Sequence, residues 1–537
     1  MPNRIIAICI LFLLLALFRL NFEHVNGSDG LVIRVPGDYP RIGWAVGNAT
    51  NGDTILVAPG TYQENVIVNK SLRIVGEARN TTVVDGGGYD WQRITTCFLV
   101  LSANVSIENL TIQDAYYGIY VEDAENATIQ SNIVVLSLYG IFLEGSHYAT
   151  IQDNLATNNS YGVLLHYCTN CTVNNNTATD NYGGDPDLRI GAGIHLGKSN
   201  NTMIADNYLT RNIAGIVLES SSDNTIMKNI AVDNREPVYN VGWGINVMSS
   251  DGNTIVNNTI VSGGIVVTSS CFNVVKDNLV LNGGGIGAGQ DSRYNLFFRN
   301  VISGNEEGIH IESAQEFFIG NLIKDNTIGI AIHYSNSSTF YHNILINNTE
   351  HAQKDVYTNV NIWDNGHEGN YWSNYTGLDS DQDGIGDTPH ELYELNEDRY
   401  PLIAPISIFD AGTWNDTEQQ INVISNSTIT DFQLNTPQAK ISFNATGDTP
   451  SIGFCRLTIP NIIVQNLWND NYTILIDNKE PIYTKNWTDT TNTYIYITYQ
   501  HSQHEIVIIP ESPLNTLLTL LTLSTLFIIF SKKRLKH

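Results

Sequence analysis

The plainest chemistry in this 537-residue sequence lies in the string LDSDQDGIGD. Asp379, Asp381, Asp383 and Asp387 stand at positions 1, 3, 5 and 9 of a calcium loop, with Gly384 at the bend and Ile385 where a main-chain carbonyl would ligate. Hard oxygen donors at alternate positions, bent by one glycine, suit Ca²⁺. Position 12, where such loops place a bidentate Glu, holds His390 instead, with Glu391 and Asp398 close by to substitute. The spacing predicts a structural calcium site, and an acidic solvated turn is the alternative.

A second constellation sits on two long turns, TATDNYGGDPDLRIGAG and IAVDNREPVYNVGWG. They carry Tyr182, Asp185, Asp187 and Arg189 on one, and Arg235, Glu236, Tyr239 and Trp243 on the other. Tyr117, Tyr139 and Tyr161 recur at one position of the preceding units and are expected to stack as an aromatic strip leading to these turns. Aromatic faces beside carboxylates and guanidiniums can grip a polysaccharide. Were the cleft catalytic, Asp185 or Asp187 would serve as acid/base and Arg189 as clamp for a substrate carboxylate. Surface loops with a structural Tyr ladder are the bland alternative.

Cys168 and Cys171 are near enough to bridge; Cys168 and Cys271 sit about four coils apart, too far at strand spacing. A local disulfide, two free thiols and a metal site all remain open for the pair. No second CxxC or His pair accompanies it.

What positions these residues is a repeat. Strings such as TIQSN, TIQDN, MIADN and TIMKN align on a final Asn, from Asn109 through Asn132, Asn154 and Asn176 to Asn343, most steps being 20 to 23 residues. A glycine column follows seven or eight residues later in most units, including Gly118, Gly140 and Gly162. Between the columns apolar and polar residues alternate, which is strand periodicity. So short a unit cannot bury its apolar face alone and must stack on its neighbours as a parallel β-solenoid. The Asn column is expected to occupy a left-handed turn and to hydrogen-bond along the axis, and the Gly column to mark a close approach. Both are read as scaffold. The two long turns fall two coils apart, roughly 10 Å, and can wall one cleft.

The segment LVIRVPGDYPRIGWAVGNATNGDTILVAPGTYQENV reads as a short amphipathic helix covering the open end, then strand, Pro-Gly turn and strand. Together with the repeats it resembles the right-handed parallel β-helix family of NosD-like proteins, pectin methylesterases and pectate lyases, and most closely archaeal NosD-like surface proteins. The resemblance spans residues 31 to about 404 and implies fold more than activity. No GHG, RIK or adjacent Asp pair marks a pectin-active site. The copper role implied by the NosD name needs clustered soft or imidazole ligands; Met is scarce, and His195 and His310 share a column about five coils apart.

The chain is thus expected to be all-β: 1–28 a signal peptide or N-terminal anchor, 29–361 the right-handed parallel β-helix, 362–404 a calcium-loop-like junction, 405–511 a small β-sandwich, and 512–537 a C-terminal transmembrane anchor. The apolar run Ile5–Phe18 has the length of a signal segment, and Leu514–Phe530 is just long enough to span, with Lys532, Lys533, Arg534 and Lys536 keeping its tail cytoplasmic. About twenty N-x-S/T sequons suit an exported glycoprotein. A formal charge of −27 with 15% charged residues disfavours nucleic acid. The function expected is a membrane-tethered surface module that binds carbohydrate or has a structural or adhesive role in the cell envelope; a polysaccharide lyase, epimerase or hydrolase comes second, and a copper-maturation accessory third.

Overall fold

A computed structural model describes residues 30–88, 93–182, 191–235, 242–355 and 360–511. The segments 1–28 and 512–537, expected to be targeting and anchor sequences, lie outside the described residues, as do Asp185, Asp187, Arg189, Glu236 and Tyr239. Among the described residues no helix is long and apolar enough to cross a membrane.

Each 20-to-30-residue unit folds as three strands, and stacking of units makes three parallel sheets of 14, 14 and 13 strands. The first runs from Val32–Val35 to Thr339–Tyr341, the second from Gly60–Gln63 to Tyr371–Trp372, the third from Val66–Val68 to Glu350–Lys354. Register is kept by identity of inward residues: Ile129, Ile151 and Val173 pair in the first sheet, Ile119, Ile141 and Val163 in the third, and all are fully buried. Aromatic residues fill one interior column near the far end, Phe297, Phe318, Phe340 and Trp363 stacking at 4.6, 5.1 and 4.4 Å.

The Asn column is a buried ladder. Asn154 Oδ1 accepts from the Asn132 main-chain N–H at 2.9 Å, while its Nδ2 donates to Ile129 O at 2.8 Å and to Asn176 Oδ1 at 3.0 Å. The motif then repeats through Asn207, Asn229, Asn258, Asn278, Asn300, Asn321 and Asn343 to Asn370, where Asp398 Oδ2 accepts the last main-chain N–H. The expectation that this Asn adopts the left-handed conformation is corrected: positive φ falls on the residue before it, at Ser131, Asp153, Asn175 and Asp206. The preceding residue turns the chain, which frees the ladder Asn to point inward. Asn109 is accordingly one of the turning residues, at φ 58°, and Leu110 holds the ladder position in its coil. The glycine column behaves as expected. A Cβ on Gly118, Gly140 or Gly162 would stand 2.6, 2.7 and 2.6 Å from the carbonyl oxygen of the glycine one coil on.

The helix Ile42–Asn48 packs Ile42, Ala45 and Val46 against the first strands. Its exposed ends are satisfied by side chains: Glu64 accepts from the Ile42 and Gly43 N–H groups at 3.0 and 2.9 Å, and Lys70 Nζ donates to the Val46, Gly47 and Ala49 carbonyls. At the other end the coil does not stop at Asn361. Tyr371–Trp372 still pairs in parallel with Ile344–Ile346, because residues 388–401 return to the solenoid, where Asn396 accepts from Asn361 N and Asp398 from Trp372 Nε1. Residues 362–404 therefore do not form one junction: 377–387 cluster with the C-terminal unit.

In that unit, residues 406–510 form two antiparallel sheets of five and four strands with a helix at Asn461–Trp468. Ile421, Val423, Ile495 and Ile497 from one sheet and Ile441, Phe443, Ile506 and Ile508 from the other share a core.

Candidate functional site

The strands of the third sheet are the longest in each coil, and their outward positions recur as first, fourth and sixth in strings such as YGIYVE, YGIFLE, YGVLLH and AGIHLG. Parallel pairing lines these up as columns. Tyr117, Tyr139, Tyr161, Ala192, Ala214 and Trp243 make the first; Tyr120, Phe142, Leu164 and His195 the second; Glu122, Glu144, His166, Gly197 and Glu219 the third.

The tyrosines stack face to face, Tyr117 on Tyr139 at 5.3 Å and Tyr139 on Tyr161 at 5.5 Å. Tyr120 and Phe142 stack beside them at 5.1 Å, doubling the strip, and Tyr161 meets the His195 ring at 5.6 Å. Ala192 and Ala214 leave an apolar saddle between Tyr161 and Trp243. The carboxylates edge the strip: Tyr120 donates to Glu144 Oε2 at 2.7 Å, Glu144 lies 3.6 Å from His166 Nδ1, and Glu219 lies 3.5 Å from His195 Nε2. Burial lowers the His195 pKa, with Glu219 opposing, and its Nε2 has no hydrogen-bond partner. Burial also raises the Tyr117 phenol to about 12, so the strip is neutral and apolar at physiological pH. A groove of about 370 Å³ runs between the aromatic rings and His166, His195, Lys198 and Glu219.

Of the residues singled out in the sequence, Tyr117, Tyr139, Tyr161 and Trp243 fall in one column. Tyr182 and Arg235 lie at the corner between second and third sheets. There Arg211 grips Asp180 through two 2.7 Å contacts, Arg235 stands 3.6 Å from Asp233, and Tyr182, its pKa raised by burial and by Asp180, senses both arginines. Tyr120, Phe142, Glu144, His166 and Glu219 were not anticipated, and His195 was weighed only as a copper ligand. Their signal was available in the fourth and sixth positions of each strand of the third sheet.

Farther along the same face, Glu307, His310 and His333 bring donor atoms within 4.8 Å of one another. His310 Nδ1 lies 2.6 Å from Glu307 Oε2; this contact raises the His310 pKa and lowers that of Glu307.

In the C-terminal unit, Asp379, Asp381 and Asp383 likewise gather carboxylate oxygens within 4.8 Å. Asp379 accepts from the Asp383 and Gly384 N–H groups at 3.0 Å each, and Gly384 takes φ +85°, open only to glycine at low cost. Burial raises the pKa of Asp379 and Asp383, and the Asp381 carboxylate adds to it against the main-chain donors. Asp387 is not in the group; its Oδ2 accepts from Ser380 N at 2.9 Å. Ile385 pairs with Leu402 as an isolated antiparallel bridge.

Of the three readings open for Cys168 and Cys171, the structure shows free, buried thiols. Both point inward at ladder positions. Cys168 occupies the column of Ser146 and Ser199, its Sγ donating to Leu143 O and His166 O, and Cys171 donates to Ser146 O and Thr169 O. The neighbouring Cys171 sulfur, with burial, holds the Cys168 pKa high.

The profile of a family described as periplasmic copper-binding protein (NosD) matches residues 46–243 and 240–377. A cell surface glycoprotein of Methanothermus fervidus is 29% identical over 373 residues, covering 68% of this chain and 54% of its own length. The chain thus spans about half the length of that curated relative. Among solved structures, the catalytic unit of a GH87 alpha-1,3-glucanase from Streptomyces thermodiastaticus is 12% identical over 63% of this chain and 67% of its own, with a TM-score of 0.43. PfbA, a surface adhesin of Streptococcus pneumoniae, is 12% identical over 56% and 86%, with a TM-score of 0.37.

Proposed function

The chain belongs to the NosD family, and from that premise we propose that it is an exported, membrane-tethered surface protein whose third sheet holds a carbohydrate chain. The observation that carries this reading is the double aromatic strip ending at His195, edged by Glu144 and Glu219. Sugar rings present C–H faces that pack on flat aromatic surfaces, while their hydroxyls need donors and acceptors at the edge. Columns spaced by the strand separation of about 4.8 Å offer such a surface along the solenoid axis, the direction in which a linear polymer would lie.

A second reading, cleavage of the bound chain, is favoured by one feature: His195 Nε2, shielded and unpartnered, with Glu219 3.5 Å away, has the makings of an acid/base pair. Incubating the full chain with arrayed polysaccharides separates the two. Retention without released product supports a binding module; unsaturated or shortened sugars support the enzyme; neither retention nor product overturns both.

Copper, which the family description names, calls for a matching donor set. The two cysteines that approach one another face inward, and Met203, Met227 and Met248 pair in three different columns, so soft ligands do not assemble among the described residues. Imidazole and carboxylate groups at Glu307, His310 and His333 do fit a divalent ion such as Cu²⁺.

We further propose that the Asp379–Asp383 turn takes Ca²⁺ as a structural ion of the C-terminal unit, with Asp387 completing the shell by releasing Ser380 N. Three carboxylates this close repel one another unless a cation stands between them. Millimolar Ca²⁺ is expected to raise the melting temperature of that unit by several degrees, and Asp381→Ala with Asp383→Ala to abolish the increment, since an ion that binds only the folded state stabilises it. Equal melting in Ca²⁺ and in chelator would sink the site.

A further inference from the structure

Two imidazoles on adjacent coils of the third sheet converge on one carboxylate. Glu307 and His310 lie on the strand Glu307–Ile311, and His333 follows the next strand of that sheet, Ile328–Ile332. Ala331 is the register partner of His310, and this small residue lets the two rings approach to 4.8 Å. Glu307 divides its oxygens between them: Oε2 lies 2.6 Å from His310 Nδ1, and Oε1 lies 3.8 Å from His333 Nε2. The far nitrogens face carboxylates of their own, His310 Nε2 standing 3.5 Å from Glu312 Oε1 and His333 Nδ1 3.8 Å from Asp355 Oδ2.

An ordinary surface ion pair needs one carboxylate per imidazole. Here three surround two, and His333 Nε2 is shielded from water without a hydrogen-bond partner. When an ion replaces the proton that His310 Nδ1 shares with Glu307, His310 Nε2–H would turn to Glu312 and His333 Nδ1–H to Asp355, leaving His310 Nδ1 and His333 Nε2 as the ligating atoms. A carboxylate behind each histidine is the usual outer support of a ligating imidazole. We propose that Glu307, His310 and His333 form a binding site for one divalent transition-metal ion of the Zn²⁺ or Cu²⁺ type. Donors on a tetrahedral ion stand roughly 3.3 Å apart, given metal–nitrogen bonds of about 2.0 Å, so closing the present spread takes small side-chain rotations. Three carboxylates offer excess negative charge for a dication, and imidazole nitrogens select a transition metal over Ca²⁺ or Mg²⁺.

Only three protein groups would ligate, and two of them, Glu307 and His310, line a groove of about 370 Å³ together with Gly284, Gly287 and Gly289. A site left open in this way accepts water or an external oxygen ligand, unlike a closed structural site.

Calorimetric titration of the full chain with Zn²⁺, in excess Ca²⁺ to occupy oxygen-rich sites, is expected to show one tight equivalent. Cu²⁺ loaded at one equivalent should give an electron paramagnetic resonance spectrum with coupling to two imidazole nitrogens. His333→Ala should reduce that coupling to one nitrogen and weaken Zn²⁺ roughly 100-fold, while Asp355→Asn, beside the far nitrogen of His333, should weaken it roughly 10-fold. Absence of a tight equivalent, a Cu²⁺ spectrum without imidazole coupling, or Zn²⁺ affinity unchanged in both His310→Ala and His333→Ala would overturn the site.

Discussion

Replacing Asn154 with Leu is expected to destabilise the solenoid by roughly 4 kcal/mol, among the largest effects of any single change in the repeat. The side chain is 2% exposed and serves two coils at once. Without it the Asn132 main-chain N–H loses its acceptor and Ile129 O loses its donor, each then buried away from water. An unsatisfied buried main-chain group costs about 1–3 kcal/mol, and the bulkier Leu must also displace packed neighbours. The adjacent Asp153 is the contrasting position. It turns the chain at φ 58°, so Asp153→Asn should be almost neutral and Asp153→Val should cost only about 1–2 kcal/mol. Denaturant unfolding followed by circular dichroism gives the comparison. A loss at Asn154→Leu no larger than at Asp153→Val would show that the turn, and not the ladder, holds the coils.

The second large effect is a pH dependence centred on Glu316. This residue interrupts a parallel ladder at another corner, where Asn253, Asn273 and Asn295 precede it, and it is fully buried. Burial pushes its carboxyl up to about 7, against hydrogen bonds from the Asn295 main chain at 2.7 Å and side chain at 3.2 Å. An unfolded Glu titrates near 4.3, so between these values the folded protein holds the extra proton. The stability this contributes is fully present below about pH 4.3 and is lost as pH rises through about 7, on the order of 3 kcal/mol in all. Glu316→Gln keeps an acceptor for Asn295 and cannot ionise. The variant should therefore gain stability relative to the parent from pH 5 to pH 8. Asp398, raised to about 6 by burial, slopes the same way in both proteins, so the difference between the two profiles is the readout. Parallel profiles would mean that Glu316 ionises in the folded protein over the same pH range as in the unfolded chain, and that burial does not hold its proton.

How far the sequence reveals this molecule depends on whether neighbours in space are also identical in type. Asn132, Asn154 and Asn176 repeat because each must satisfy the next, so the ladder stands out in the string. Conformation is not visible in the same way. Asn109 looks like a ladder residue, but Leu110 holds that position, since either amide or apolar side chains can fill the first inward site. The far end was also hidden. Asn396 and Asp398 complete the ladders from a returning hairpin, His390–Tyr393 with Asn396–Asp398, which carries no repeat signature. Tyr117, Tyr139 and Tyr161 were legible as a column. Phe142, His195, Glu144 and Glu219 were not, because they differ in type from coil to coil and only strand register brings them together. Glu307, His310 and His333 escape for the same reason: two share one strand, and the third arrives a full coil later.

The central claim is that the ladder is scaffold and the outward face of the third sheet holds the ligand. Glycan-array binding by Tyr139→Ala with Phe142→Ala, each variant first checked for a cooperative unfolding transition, tests it most directly. Tyr139 is half-buried, Phe142 is 8% exposed and neither belongs to a ladder, so the variant should lose some stability but keep a single cooperative transition while losing at least ten-fold in retention, because two rings of the strip are gone. Retention equal to that of the parent in a folded double variant, or no retention of any glycan by the parent, would contradict the account.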